Sequence, residues 1–182
     1  MKNKDPQLLM DEKKLGETLE SITEKILSEF GADPQLVLIG IRTRGVPLAE
    51  RMREIMKEKK GIEPPVGILD ITLYRDDLST LAKNPIVRPT TLPFDLDDKK
   101  IILIDDVIYT GRTIRAALDQ LADFGRPALV RLAVLIDRGW REIPIHPDFA
   151  GFQIETEKTQ IVQVRMKEID GDEKVMLLSP GA

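Results

Sequence analysis

The chain has 182 residues, 42% hydrophobic and 32% charged, the balance of one compact domain with a core of its own. A formal net charge of −4 excludes a globally basic surface, so a nucleic acid would need a local patch. The absence of cysteine excludes disulfides and thiolate metal sites, the single histidine, His146, argues against an all-protein zinc site, and no apolar run reads as a signal peptide or a membrane span, which makes the cytoplasm the expected location.

Residues 11–30 place Leu15, Leu19, Ile22, Ile26 and Leu27 at helical spacing with charges between them, which predicts an amphipathic helix stopped by Gly31. The run LVLIGI at 36–41 is apolar throughout, as a strand covered on both faces must be. A second helix is expected over 47–59, opening on Pro47 and carrying Leu48, Met52, Ile55 and Met56 on one side. VGILDIT at 66–72 reads as the next strand. From Leu73 to Phe94 the chain is irregular and holds three prolines; a connection of this length inside a compact domain points to a functional loop, here one placed to close over a site. KIILIDDV at 100–107 is a third strand, 112–125 a helix ending at Gly125, and ALVRLAVLID at 128–137 a fourth strand. Strands alternate with helices, so the expected class is α/β: a doubly wound, mostly parallel sheet. Beyond 137 the pattern changes to turns and short strands such as IVQVRM and KVMLL. The whole of 1–182 therefore reads as a single domain, with a core over about 11–137 and a cap or edge extension over about 138–182.

The chemistry concentrates in IILIDDVIYTGRT, residues 101–113. In an open α/β sheet, ligands bind beyond the carboxyl ends of the strands. Asp105 and Asp106 stand at that end, and a helix begins just after them. Its first amides have no intrahelical partners and suit a phosphate. Gly111 lets backbone approach closely, and Thr110 and Thr113 add hydroxyl donors. Two carboxylates accept hydrogen bonds from hydroxyl groups or hold a hydrated divalent cation. A sugar phosphate satisfies both halves. Competing phosphate motifs fail: Gly40 and Gly45 have the glycine spacing of a P-loop, but Val46 and Pro47 replace its Lys and Ser/Thr, and G-x-G-x-x-G is absent.

The same stretch resembles the phosphoribosyl-pyrophosphate (PRPP) signature of type I phosphoribosyltransferases. LVLIGIRTRGVPLAERM, VGILDITLYRDDL and GRPALVRLAVLIDRGWREIPIHPDFAGFQI extend the likeness over nearly the whole chain, to the family of pyrimidine operon attenuation proteins that are also uracil phosphoribosyltransferases. The resemblance implies conversion of PRPP and uracil to UMP and diphosphate with Mg²⁺, bound through PRPP and by Asp105 and Asp106. It assigns Asp105 and Asp106 to the ribose hydroxyls, and Val107, Ile108, Tyr109, Thr110, Gly111, Arg112 and Thr113 to the 5′-phosphate loop. It gives Thr43 and Arg44 to the diphosphate loop and sets Arg75 at the start of a lid, with Asp105, Asp106 and Arg75 as the catalytic residues. Arg88 falls farther along that lid, and Arg138 and Val162 in the cap over the base. It also implies a homodimer or higher homo-oligomer.

Family members also bind messenger RNA under the control of UMP. Here the first helix carries Glu17, Glu20, Glu24 and Glu29, which repel phosphates and weaken that expectation. The cap has Trp140 where relatives usually carry His, and Arg126, Arg131, Arg138, Arg141 and Lys158 are the candidates for a local basic patch. Three readings result: an enzyme making UMP, a UMP-sensing RNA regulator with little enzyme activity, and a phosphoribosyltransferase with another base preference.

Overall fold

The apolar runs at 36–41, 66–69, 100–108 and 129–137 become adjacent strands because each must bury both faces at once. The computed structural model describes residues 6–76 and 88–180. In chain order these form β1 (Gln7–Met10), α1 (Glu12–Phe30), β2 (Leu36–Ile41), α2 (Gly45–Lys60) and β3 (Val66–Leu69). A 3-10 turn over Thr72–Tyr74 leads into the long connection. β4 (Lys100–Ile108), α3 (Arg112–Phe124), β5 (Leu129–Asp137), β6 (Phe149–Gln153), β7 (Ile161–Arg165), α4 (Lys167–Asp170) and β8 (Lys174–Leu178) complete it. The loop read as a lid runs from Leu73 to Phe94, and its central residues, 77–87, lie outside the described residues.

Five strands form a parallel sheet in the order β3-β2-β4-β5-β6. Alternate side chains enter two cores, as the period of a strand requires. Leu36, Leu38, Ile102 and Ile104 pack with Leu15, Ile22, Leu48 and Met52 from α1 and α2. Val37, Ile39, Ile101 and Leu103 pack on the opposite face with Ile114, Ala117 and Leu121 from α3. The doubly wound sheet expected from the sequence is therefore what the chain forms.

The helix ends follow local chemistry. The Asp11 side chain accepts the Lys14 amide at 2.8 Å and opens α1, and Gly31 follows its last turn. α2 starts at Gly45, so Pro47 lies in the first turn, where its missing N–H costs nothing.

Residues after 137 divide between two sheets. β6 extends the parallel sheet beside β5. β7 and β8 form an antiparallel sheet whose third strand is β1, from the other end of the chain. Val162, Val164, Val175 and Leu177 from this small sheet enter the same core as α1 and α2. No helix among the described residues is long and apolar enough to cross a membrane.

Candidate active site

β2, β4 and β5 point their carboxyl ends toward one edge of the parallel sheet. β4 delivers Asp105 and Asp106 there. The Asp105 carboxylate accepts the Asp106 amide at 2.9 Å, and the Asp106 carboxylate accepts the Val107 amide at 2.9 Å. Asp105 is buried, and burial raises its pKa well above the usual carboxylate value, with the Asp106 charge adding to the rise. Burial also raises the Asp106 pKa, against the pull of the nearby Arg44 charge. Arg75 acts on Asp105 in the same opposing sense. Two acids held this way favour ligands that donate hydrogen bonds or bring positive charge.

Close backbone packing brings the β2–α2 turn to the same place. A side chain at Gly45 would strike the Ile104 carbonyl oxygen, and one at Gly40 would strike Gly45 itself. The glycine spacing of GIRTRG thus serves an approach of main chain to main chain, which seats Thr43 and Arg44 against the end of β4. The Arg42–Thr43 peptide bond in this turn is cis.

From the last two residues of β4, Val107 to Ile114 curve around a cavity of about 260 Å³ that Arg75 and Asp76 also line. Gly111 precedes α3 with φ 92°, a left-handed conformation that suits glycine. On the cavity rim, Arg112 pairs with Asp76 at 2.7 Å and with Glu142 at 2.8 Å. Beneath it, Arg141 donates to the Tyr109 carbonyl at 2.8 Å and pairs with Asp137 at 2.7 Å. The loop of expected phosphate contacts is therefore fastened from the segment after β5.

On the other side of the acids, Arg42, Thr43, Asp70, Ile71, Thr72, Arg75 and Arg88 line a second cavity of about 290 Å³. The Arg42 Nε is buried there without a hydrogen-bond partner among the described residues. Asp70 fastens both ends of the connection that holds 77–87: its carboxylate accepts the Thr72 amide at 2.9 Å and the Arg88 amide at 2.7 Å. Burial works to raise the Asp70 pKa, but these hydrogen bonds and the Arg42 charge draw it below the usual value. Arg44 meets Asp170 of α4, NH2 to Oδ1 at 2.9 Å and Nε to Oδ2 at 3.3 Å.

Toward the cap, the Arg138 guanidinium lies 4.0 Å from the Tyr109 ring centroid. Burial lowers its pKa, one of its N–H groups donates to the Glu157 carbonyl at 3.3 Å, and its Nε is buried without a partner among the described residues. Arg138, Gly139, Trp140, Glu155 and Thr156 line a cavity of about 230 Å³. Trp140 donates to the Thr156 carbonyl at 2.6 Å, and the Lys158 ammonium lies 5.5 Å from its ring.

The structure thus gathers Thr43, Arg44, Arg75, Arg88, Asp105, Asp106, the 107–113 loop and Arg138 along one edge. Val162 stands apart: its side chain is buried in the core beneath the small sheet and lines none of these cavities. Three residues of the site escaped sequence reading. Asp70 directly follows β3, an acid after an apolar strand run as Asp105 is in β4, a signal present but unused. Arg141 was read as patch charge, and Asp170 had no local signal, because its partner lies 126 residues away. The candidate basic residues divide: Arg138, Arg141 and Lys158 stay together around Gly139 and Trp140, and the others lie apart from them. Arg131 pairs with Glu29 and Asp148, Arg141 is held by Asp137, and Arg126 precedes β5 whereas Arg138 follows it. Glu20 and Glu24 of α1 both pair with Lys59.

The phosphoribosyl transferase domain family matches residues 9–169. The bifunctional protein PyrR of Pelotomaculum thermopropionicum is 52% identical over 170 residues, 93% of this chain and 94% of that protein. PyrR of Deinococcus radiodurans is 51% identical over 89% of this chain and 88% of its own. A hypoxanthine-guanine phosphoribosyltransferase from Bacillus anthracis superposes with a TM-score of 0.72 at 18% identity, over 97% of this chain and 99% of that one, a likeness that carries the fold.

Proposed function

We propose that this chain, which belongs to the phosphoribosyl transferase family and within it to the PyrR proteins, transfers the ribosyl phosphate of PRPP to uracil, releasing diphosphate and forming UMP. The carrying observation is the adjacent Asp105 and Asp106, buried and half-buried, followed directly by the residues that line a cavity of about 260 Å³, with Arg75 lining both that cavity and a second one that Arg42 and Arg88 share. In this reading the acids accept the ribose hydroxyls, and the 107–113 loop with Thr110 and Thr113 holds the 5′-phosphate. Thr43, Arg44, Arg75 and Arg88 surround the diphosphate. Arg138 and Tyr109 form the wall of the base site, where the partnerless Arg138 Nε suits a nucleobase carbonyl.

The reaction breaks the C1–diphosphate bond and forms a bond from C1 to a uracil nitrogen, whose proton leaves to the departing diphosphate. Negative charge grows on the departing diphosphate, and guanidinium groups already in position stabilise it. The two carboxylates face the ribosyl centre, where positive charge develops. No covalent enzyme intermediate is required; positioning and electrostatics supply the acceleration. The described residues contain no cluster of three or more ligating side chains for a metal. Two acids beside a diphosphate site fit Mg²⁺, which keeps several waters and takes further oxygens from substrate phosphates. Bound there through PRPP, it would supply charge neutralisation at the leaving group, with Asp105 and Asp106 as its protein-side acceptors.

The RNA-regulator reading is supported by membership of the PyrR proteins and by one surface feature, the partly exposed Trp140 beside Lys158. The cytoplasmic location and a homodimer or larger homo-oligomer belong to the same proposal; Leu8 and Ile161 are exposed apolar residues on the small sheet. The deciding experiment incubates the protein with PRPP, Mg²⁺ and each nucleobase in turn. UMP formed from uracil alone supports the reading, turnover of another base moves it to the third reading, and no turnover with any base overturns it. Titration of RNA at rising salt, with and without UMP, tests the regulator: affinity that falls with salt and responds to UMP supports it.

A further inference from the structure

Arg44 is the residue through which the cap reaches the crevice. It occupies the position before α2, close enough to Asp106 for its charge to oppose the rise of that acid's pKa. Its guanidinium presents Nε and NH2 to the two oxygens of Asp170. Asp170 is itself held rigidly. Its Oδ2 accepts the Met166 amide at 2.9 Å, and its own amide donates to the Met166 carbonyl at 2.7 Å. The turn that carries it is fastened to α2 a second time. Arg51 donates from Nε to Glu168 at 2.8 Å and from NH2 to Glu173 at 2.8 Å. Hydrogen bonds donated to Glu173 and Glu168 raise the Arg51 pKa further. The Arg44–Asp170 side chains are 30% and 15% exposed, so water screens the pair only in part.

A long side chain in a solvated turn would otherwise sample many rotamers, and fixing it at the moment of reaction costs entropy. Asp170 removes that freedom in advance and leaves the remaining edge of the guanidinium for a ligand. We propose that Asp170 is the positioning residue for Arg44, and that α4 couples the small antiparallel sheet to the diphosphate side of the catalytic crevice. The inference rests on the assignment of Arg44 to the diphosphate loop.

The test is a double-mutant cycle with Arg44→Ala and Asp170→Ala, reading kcat and KM for PRPP, KM for uracil, and calorimetric affinity for inorganic diphosphate with Mg²⁺. Asp170→Asn, which keeps the shape but not the charge, serves as the second variant should the alanine form fold poorly. Arg44→Ala is expected to lower kcat/KM for PRPP about 100-fold, Asp170→Ala about tenfold and Asp170→Asn by less, with KM for uracil unchanged. In the Arg44→Ala background, Asp170→Ala has no further effect on kinetics or on diphosphate affinity. If Asp170→Ala costs the same factor in both backgrounds, or Asp170→Asn matches the parent while Arg44→Ala is impaired, Asp170 does not position Arg44. If Arg44→Ala itself binds diphosphate and turns over PRPP like the parent, the diphosphate-loop assignment is the part that fails, and the inference falls with it.

Discussion

The two ends of the parallel sheet hold charge in opposite ways. At the amino end, Lys100 reaches Asp33 at 2.6 Å, Lys99 reaches the Gln35 side chain at 2.7 Å, and Asp97 accepts the Arg126 amide at 2.6 Å. These groups sit in solvent and are matched to one another; the hydrogen bond from Lys100 holds the Asp33 pKa below its usual value. At the carboxyl end, two acids are adjacent, Asp105 buried and Asp106 half-buried, with pKa values pushed up, and two arginines bury an Nε without a partner among the described residues. The first arrangement is complete in the free protein. The second leaves polar groups without partners among the described residues, and the native state bears the cost of holding them.

Breaking the carboxyl end has the largest expected effect. On the proposed assignment, Asp105→Asn with Asp106→Asn is expected to lower PRPP turnover by ~10³-fold or more in a steady-state assay, because the groups that would face the ribosyl centre lose their charge. The same variant melts a few degrees above the parent near neutral pH. The sign follows from the raised pKa values: the native state binds protons more tightly than the unfolded chain, so this contribution is whole below the unfolded value of 3.8 and is lost as pH rises through the folded values. Removing both charges restores it. A double mutant with parental kcat/KM, or one that melts lower at neutral pH, breaks the contrast.

Gly45→Ala comes next, since the new methyl meets the Ile104 carbonyl and pushes the Arg44 turn off the end of β4. The expected cost is roughly 1–3 kcal/mol of stability in denaturant unfolding, with a loss of ~10²-fold in kcat/KM for PRPP. Asp70→Asn releases one of the two amides that close the base of the long connection and is expected to raise KM for PRPP about tenfold in initial-rate measurements. The Asp70 contribution to stability runs opposite to that of the paired acids: with a lowered pKa, it is present above the unfolded value and lost as pH falls through the folded one. The smallest effect belongs to the amino end. Asp33→Asn removes a half-buried partner of Lys100, shifts the midpoint of a thermal melt by about a degree and leaves both KM values unchanged.

The alternating strand and helix pattern, the two-faced burial of LVLIGI and IILIDDVI, and the carboxyl-end position of Asp105 and Asp106 were all legible in the sequence, because each depends on local periodicity and on a rule of parallel sheets. The 107–113 loop was legible for a similar reason: its acids, glycine and threonines are contiguous. Less of the cap was readable. β1 joins β8 across nearly the whole chain, and β6 leaves the cap region for the main sheet, pairings that a single short alternating strand does not specify. Val162 illustrates the limit from the other side, an apolar residue assigned to the base site whose side chain the small sheet turns into the core.

By itself, then, the sequence determined the first four strands of the parallel sheet, the three long helices, and where along the chain the acids and the glycine–threonine loop after them lie, since those follow from nearest-neighbour preferences and hydrophobic spacing. Only the tertiary structure decided which arginine meets which carboxylate. The Arg44–Asp170, Arg51–Glu173 and Arg112–Asp76 pairs join residues far apart in the chain. Any of the many exposed acids would match a guanidinium by charge; the packing of α4 on α2, and of the lid root on α3, selects one by distance.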